Sequence, residues 1–273
     1  MTITPSNTDE LLIEQRGHVV IFTLNRPRRL NAISRSMLTE LSAKMVEANK
    51  DPEVRCIILT GAGKGFCSGL DLEDHGVPPN SEGLTMSRIA IRAMEYMSDL
   101  VPTMRAMPQP IIAAINGPAY GGGMCLPLGA DIRLAASSAR FRSAGVTNGL
   151  AGTELGVSYL LPRLIGASRA FEMILSGRVI EAPEALESGL VSRVVPDSEL
   201  QASALELAAQ ITGWSAHGVA MTKKILWSNL EAGSLTNAID CENRNQLLVR
   251  LTTENLAEAI RARREGRKPD YKD

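Results

Sequence analysis

The stretch that decides the fold is Val54-Arg55-Cys56-Ile57-Ile58-Leu59-Thr60-Gly61-Ala62-Gly63-Lys64-Gly65-Phe66-Cys67-Ser68-Gly69-Leu70-Asp71. Its apolar beginning, residues 54–60, predicts a buried strand. The glycines that follow predict a tight turn, because glycine accepts positive φ and lets a ligand approach bare N–H groups. The pattern recurs at Pro110-Ile111-Ile112-Ala113-Ala114-Ile115-Asn116-Gly117-Pro118-Ala119-Tyr120-Gly121-Gly122-Gly123. Two strand–turn units of this type indicate a largely parallel sheet in which both turns lie at the ligand-binding edge.

The two turns also suggest a chemistry. A helix that begins directly after such a turn leaves its first N–H groups without intrahelical partners, at the positive end of the helix dipole. Two such ends converging on one point would form an oxyanion hole, which stabilises negative charge on a carbonyl oxygen. This is the central functional hypothesis.

The remaining periodicity predicts an α/β chain in three parts. β-rich runs at 11–13 and 18–25 predict a hairpin, and helical spacing predicts a helix over 34–49 capped by Ser34, with further helix within 81–107. Strands are predicted at 131–136, 140–142 and 190–195, and helices at 168–176, 182–188, 198–212, 216–232, 235–252 and 255–264. We therefore expect a polar tail (1–10), an α/β core (11–200) and a helical region (201–273).

Composition excludes several classes of protein. The 29 basic and 30 acidic residues nearly cancel, so no nucleic-acid partner is expected. Four scattered cysteines without a C-x-x-C pair predict reduced thiols, and three distant histidines make a metal site improbable. The N-terminus is polar, so we expect neither a signal peptide nor an anchor there, and no apolar run of the sequence is long enough to span a membrane. The expected location is the cytoplasm.

The glycine-rich stretch is not a nucleotide-binding motif. In the series that begins at Gly61, Phe66 stands where the third glycine of a dinucleotide fingerprint belongs. The stretch also lies in the second βα unit rather than the first, where that fingerprint belongs. It also lacks the Gly-Lys-Ser/Thr ending of a phosphate loop. Neither a nicotinamide enzyme nor an ATPase is favoured.

Two other groups have both a functional and a plain interpretation. Cys125 could be a nucleophile at a helix N-terminus, where a thiol pKa is lowered, but a small buried residue is the preferred interpretation. Asp74 and His75 could form an acid–base pair. We favour a solvated loop for them, because glycine and prolines follow at 76–79.

Several short motifs occur in a fixed order along the chain: Asn25-Arg26-Pro27, Leu30-Asn31-Ala32, Gly65-Phe66-Cys67-Ser68-Gly69-Leu70-Asp71, Asn116-Gly117, Gly121-Gly122-Gly123, Asp131-Ile132-Arg133, Ser188-Gly189-Leu190-Val191 and Arg264-Glu265-Gly266-Arg267-Lys268-Pro269-Asp270-Tyr271. Together this set resembles the crotonase (enoyl-CoA hydratase/isomerase) family over roughly residues 11–271. The order makes the set far more specific than any single glycine motif.

The resemblance implies a crotonase-like spiral of ββα units with a C-terminal helical trimerisation region, assembled as a homotrimer or homohexamer. It implies an acyl-CoA substrate, with coenzyme A as part of that substrate and no separate cofactor. The N–H groups of Leu70 and Gly122 would form the oxyanion hole. The implied substrate-binding residues are Arg28, Leu30, Gly69, Asp71, Leu72, Glu73 and Gly121.

The chain departs from the family at the catalytic acids. Typical hydratases carry one glutamate two residues after the triple glycine and another about twenty positions later, where this chain has Cys125 and Gly145. Glu154 instead matches the place of an Asp or Glu in members that shift double bonds. Its apolar neighbours predict a raised pKa suited to proton transfer. The plain alternative is an exposed glutamate at a helix start.

The preferred prediction is therefore double-bond isomerisation of an enoyl-CoA through an oxyanion-hole-stabilised thioester enolate, with Glu154 as the single carboxylate. One alternative is an enoyl-CoA hydratase that uses non-standard acid and base groups. Another is a catalytically silent acyl-CoA-binding protein, and a more distant one is an acyl-CoA hydrolase that uses the Cys125 thiol.

Overall fold

The computed structural model of the protein describes residues 3–74 and 77–272. Nine strands lie in the described chain: β1 (Leu11–Arg16), β2 (Val19–Leu24), β3 (Cys56–Gly61), β4 (Ile111–Ile115), β5 (Pro118–Tyr120), β6 (Ile132–Ala136), β7 (Arg140–Arg142), β8 (Ile180–Glu181) and β9 (Arg193–Val195). The main sheet has the order β1-β2-β3-β4-β6-β9, and a small second sheet has the order β5-β7-β8.

The main sheet is parallel except at one edge. β1 and β2 form an antiparallel hairpin, whereas β2, β3, β4, β6 and β9 run parallel to one another. The predicted α/β class, the hairpin and the parallel sheet are confirmed. Both glycine-rich turns lie at the carboxyl ends of the adjacent strands β3 and β4.

Eleven α-helices are present in the described residues: α1 (Arg35–Lys50), α2 (Met86–Ser98), α3 (Leu100–Ala106), α4 (Gly122–Cys125), α5 (Val157–Ile165), α6 (Ala167–Ser176), α7 (Ala182–Ser188), α8 (Leu200–Thr212), α9 (Ala216–Asn229), α10 (Leu235–Thr252) and α11 (Asn255–Glu265). The predicted cap of α1 is confirmed, since the Ser34 hydroxyl accepts a hydrogen bond from the Met37 N–H at 3.1 Å. No helix of residues 3–74 and 77–272 combines the length and apolar content that crossing a membrane requires.

The sheet is covered on both faces, which explains its nearly continuous apolar strands. One face of the sheet packs against α1, α3 and α4, and together they form the larger of two hydrophobic cores. The other face meets α8 through Leu200, Ala204 and Ala208. The predicted boundary at residue 200 falls at the start of this helix and remains a prediction.

The structure corrects the sequence interpretation in several places. The strand predicted from 54 begins at Cys56, and the helical stretch predicted within 81–107 is two helices separated at Asp99. Three elements were not predicted: β5, β8 and α5. The first two have three and two residues, and Pro162 inside α5 obscures its helical pattern.

A buried ion pair docks α9 on the core. The Lys223 ammonium lies 2.8 Å from an Asp131 carboxylate oxygen and donates to the backbone oxygens of Met104 and Gln109 at 3.0 and 2.8 Å. The Trp227 indole N–H donates to the other Asp131 oxygen at 2.6 Å. Both charges are thus paired and hydrogen-bonded, as burial requires.

Breaking this pair should destabilise the protein strongly. Lys223→Met leaves the largely buried Asp131 without its ion-pair partner, so we expect the free energy of unfolding to fall by about 3–5 kcal/mol. Denaturant unfolding measures the change. The control is Arg16→Met, which removes an exposed pair with Glu14 and should lower the free energy of unfolding far less, because exposed ion pairs contribute little to stability. Equal losses in the two variants would contradict the docking role.

Candidate active site

The two glycine-rich turns are joined to each other by backbone hydrogen bonds. Cys67 and Ala119 form a parallel bridge, in which the Cys67 N–H donates to the Pro118 oxygen at 3.1 Å and the Tyr120 N–H donates to the Cys67 oxygen at 2.9 Å. The turns after β3 and β4 therefore form one rigid unit, although more than fifty residues separate them along the chain.

The predicted hole donors, Leu70 and Gly122, lie side by side in this unit. A β-carbon on Gly122 would lie 3.9 Å from the Leu70 nitrogen, and one on Gly69 would lie 3.4 Å from the Gly122 nitrogen. Within the described residues neither the Leu70 nor the Gly122 N–H has a hydrogen-bond acceptor. Two free backbone donors on neighbouring turns are what an oxyanion hole requires.

Glycine is required where the two turns approach most closely. Gly69 has φ of 101°, and a β-carbon there would lie 2.9 Å from the Tyr120 oxygen. A β-carbon on Gly123 would lie 2.1 Å from the Cys67 oxygen, well inside contact distance. A larger residue at either position would push the turns apart.

Two asparagine side chains hold the first turn from inside. The Asn31 amide donates to the oxygens of Ala62 and Gly65 at 2.9 and 2.7 Å, and it is fully buried. The Asn116 amide donates to the Gly63 and Gly65 oxygens at 3.0 and 3.1 Å. The sequence predicted no role for these two asparagines in holding the turn. Their only sequence signal is that both belong to the family motifs.

Three of the predicted substrate-binding residues are brought together near the hole. The Ser68 N–H donates to the Leu30 oxygen at 2.9 Å, and the Ile33 N–H donates to the Gly69 oxygen at 2.8 Å. The Asp71 N–H in turn donates to the Ile33 oxygen at 3.0 Å. The loop after β2 is thus attached along the segment that carries Leu70.

Asp71 is occupied by ion pairs. Its carboxylate accepts from the Arg26 guanidinium at 2.7 Å and from Arg29 at 3.3 Å, and Arg29 also pairs with Glu73. Burial raises the pKa of Asp71, but the Arg26 hydrogen bond, the Glu73 N–H and the two guanidinium charges lower it below its usual value. A carboxylate held ionised in this way fixes the loop and is a poor proton carrier.

Two more predicted substrate-binding side chains lie on the surface. Arg28 is exposed in a short 3-10 turn, Pro27–Arg29, and Leu72 is 68% exposed. Both belong to the segments that flank the hole. Their contact with a substrate remains a prediction. His75, the possible acid–base partner of Asp74, lies outside the described residues.

Glu154 lies beside the second turn. A β-carbon on Gly121, whose φ is 52°, would lie 3.5 Å from Glu154 Oε1 and 3.6 Å from the Ala144 β-carbon. Glu154 is half-buried, it precedes α5, and its carboxylate has no hydrogen bond or ion pair with another described residue. Burial raises its pKa, and among the described carboxyl groups only this one is shifted upward. A raised pKa and a free carboxylate suit a general base.

Cys125 and Gly145 stand where typical hydratases carry their two glutamates, and the surroundings constrain each position in a different way. Cys125 is 2% exposed, and burial, then the Glu154 charge, then Cys67, raise its pKa well above the usual thiol value. The thiol is therefore protonated and is a weak nucleophile. At Gly145 a β-carbon would lie 2.2 Å from the Ala151 oxygen, so no side chain fits there without moving the backbone.

An apolar pocket adjoins the predicted hole. It measures about 290 Å³ and is lined by Ser34, Arg35, Leu38, Leu70, Asp71, Leu72, Pro78, Ala93, Met94, Tyr96 and Met97. A narrower cavity shares Leu38, Leu70 and Met97 with it and reaches Gly122 and Leu155. An apolar space that meets paired polar donors is typical of a small-molecule site.

The comparisons with known proteins agree on the family. The family model described as enoyl-CoA hydratase/isomerase matches residues 14–273. A Mycobacterium bovis protein named probable enoyl-CoA hydratase echA12 is 48% identical over 269 residues, covering 98% of this chain and 94% of that protein. This chain belongs to the enoyl-CoA hydratase/isomerase family, and the resemblance inferred from the motifs is confirmed.

Solved structures support the same assignment. A probable enoyl-CoA hydratase/isomerase from Mycobacterium abscessus superposes with a TM-score of 0.91 at 44% identity, covering 96% of this chain and 98% of that one. A monofunctional enoyl CoA isomerase from M. smegmatis has a TM-score of 0.72 at 42% identity, covering 85% and 99%. The predicted crotonase-like fold is confirmed.

Thiol accessibility tests the cysteine alternative. Cys56, Cys67 and Cys125 are buried and Cys241 is partly exposed. We expect at most one of the four thiols to react promptly with a thiol reagent in the native protein, and all four to react in denaturant. Peptide mass analysis identifies the labelled residue. Prompt labelling of Cys125, blocked by an acyl-CoA, would instead support a thiol-dependent hydrolase.

Proposed function

We propose that this protein isomerises enoyl-CoA esters by moving a double bond, with Glu154 as the single acid–base group. The observation that carries the proposal is the position of Glu154. It is an unpaired carboxylate with a raised pKa beside Gly121, in a site where Cys125 and Gly145 replace two glutamates.

The chemistry needs only groups that this chain possesses. The thioester carbonyl oxygen accepts hydrogen bonds from the N–H groups of Leu70 and Gly122, which stabilise the enolate. Glu154 removes a proton from C2 of a 3-enoyl-CoA, and the electron pair delocalises onto the oxygen and C4. The protonated Glu154 then returns the proton to C4, which leaves a 2-enoyl-CoA. The step is balanced and needs no cofactor beyond the coenzyme A that the substrate carries.

The alternatives make different demands on the site. Hydration of a 2-enoyl-CoA uses one group to activate water and another to protonate carbon. Glu154 is one such group, whereas Asp71 is held in ion pairs and the Cys125 thiol is protonated. Relatives carry both names, hydratase for the M. bovis protein and isomerase for the M. smegmatis one, and the single free carboxylate favours the second.

Substitution of Glu154 tests the proposal. Glu154→Gln keeps the size of the side chain but removes the base, so isomerisation should fall by at least about 10²-fold while acyl-CoA affinity stays nearly constant.

In the wild type, kcat/KM for isomerisation should rise with pH through the raised pKa of Glu154, since the base must be ionised. Product analysis with a panel of 3-enoyl- and 2-enoyl-CoA esters measures both reactions.

The matched control is Glu206→Gln, an exposed glutamate on α8, which should behave as wild type. Brisk hydration that survives Glu154→Gln would favour the hydratase. Tight acyl-CoA binding without turnover of either ester would favour the silent binding protein.

We also propose a homotrimer or homohexamer, in keeping with the family, and a cytoplasmic location, in keeping with the scattered thiols. The support for assembly is the apolar surface of the last two helices. None of the residues of α10 is buried, and its leucines Leu235, Leu247 and Leu251 are 76%, 55% and 80% exposed. On α11, Leu256 and Ile260 are 50% and 46% exposed. Large apolar side chains exposed in this number on the last two helices support an interface, since apolar patches on a protein surface mark interaction sites.

Light scattering at micromolar concentration should therefore give three or six times the mass of one chain. Leu251→Glu places a charge in the proposed interface and should shift the protein toward smaller species. A wild-type monomer would refute the assembly.

A further inference from the structure

Leu155, the residue after Glu154, has an unusual backbone conformation. Its φ is 50°, the next residue, Gly156, has φ of 82°, and the Val157 N–H donates to the Glu154 oxygen at 2.9 Å. Two central residues with positive φ define a type I′ turn, whose positions usually carry Gly, Asn or Asp. Leucine at the first of them is strained, since its β-carbon crowds the neighbouring carbonyl oxygen.

The Leu155 side chain packs against the second glycine-rich turn. Leu155 is 7% exposed, and its Cδ1 lies 3.2 Å from where a β-carbon on Gly122 would be. It also lines the narrow cavity that contains Leu70 and Gly122. The side chain therefore packs directly against the Gly122 backbone, between α5 and the second glycine-rich turn.

We propose that Leu155 is a positioning residue for catalysis: its left-handed turn fixes the backbone of Glu154, and its side chain keeps water from the Gly122 side of the hole. The proposal rests on the proposed role of Glu154 as the base. Leu155 acts through its neighbours and donates or accepts no proton itself.

Both parts of the residue are needed for this role. Glycine would accept the turn without strain but would leave the space beside Gly122 open. Asparagine would also accept the turn but would bring a polar group and water into the apolar cavity. A leucine held in the left-handed conformation gives the turn and the apolar cover together. Strained residues of this kind persist where the surroundings determine them fully, and they cluster at functional sites.

The two functions of Leu155 predict a measurable signature. Burial is what raises the pKa of Glu154, so opening this space should let water solvate the carboxylate and lower its pKa toward the ordinary value. The acidic limb of the pH profile for isomerisation should then move to lower pH. A less firmly held carboxylate should also reduce kcat more than it changes KM, because orientation matters in the transition state.

The test compares Leu155→Ala with Leu160→Ala. Leu160 is an equally buried leucine on α5, and it does not line either cavity at the site. Both variants should lower the melting temperature. Only Leu155→Ala should lower kcat, by roughly ten- to hundredfold with KM within about threefold, and move the acidic limb down by at least about half a pH unit. Leu155→Met, which restores apolar cover, should return the limb to its wild-type position.

The outcomes separate the possible failures. If Leu155→Ala and Leu160→Ala lose stability but keep the wild-type kcat and acidic limb, Leu155 is ordinary core packing and the proposal is overturned while the role of Glu154 stands. If Glu154→Gln retains isomerisation, both proposals fall. If Leu155→Ala does not fold, Leu155→Asn takes its place, since asparagine tolerates the left-handed turn and predicts the same shift of the limb.

Discussion

The parallel bridge between Cys67 and Ala119 is the interaction on which the site depends. It locks two turns from separate βα units into one piece, and it leaves the Leu70 and Gly122 N–H groups without acceptors among the described residues. The bridge is possible only because glycine stands at 69 and 123, where a β-carbon would meet backbone oxygens. A donor pair fixed by the fold does not need to reorganise when charge develops on a carbonyl oxygen, which is the physical basis of an oxyanion hole.

Burial of the side chains near the two turns determines which of them can transfer a proton. It raises the pKa of Glu154, so its carboxyl group can hold and release a proton, and it raises the pKa of the Cys125 thiol, so that group stays protonated. Asp71 is also buried, but the Arg26 and Arg29 guanidinium groups keep it ionised. Among these three titratable groups, Glu154 is therefore the one whose pKa suits proton transfer, which supports its proposed role.

Sequence patterns predicted the parts of the fold that depend on local signals. The apolar run that follows Pro110 forms the strand Ile111–Ile115, since a short continuous apolar run is typical of a buried strand. The strand predicted at 140–142 is present as Arg140–Arg142. The sequence patterns did not predict α5, whose pattern Pro162 interrupts. Nor did they predict the bracing of the first turn by Asn31 and Asn116, since these hydrogen bonds join residues about 30 to 55 positions apart.

The candidate site residues also divide into those that have a sequence signal and those that have none. Glycine patterns and family motifs predicted Leu70 and Gly122 as hole donors, and the resemblance together with its apolar neighbours predicted Glu154 as the base; these roles remain predictions. The conformation of Leu155 carries no sequence signal, because leucine is among the residues least expected at positive φ. It follows from the Glu154–Val157 turn and the packing against Gly122, which exist only in the folded chain.

The geometry also limits how this site could acquire a second carboxylate. At position 145 the Ala151 oxygen occupies the place of a β-carbon, so the loop over 145–152 would have to change shape before any acid could stand there. A glutamate in place of Cys125 would lie in the field of Glu154, and two neighbouring carboxylates in a poorly solvated site resist ionising together. Such a pair would share a proton and would no longer offer one free base. The backbone around Gly145, rather than the loss of two side chains alone, therefore separates this site from the two-glutamate arrangement.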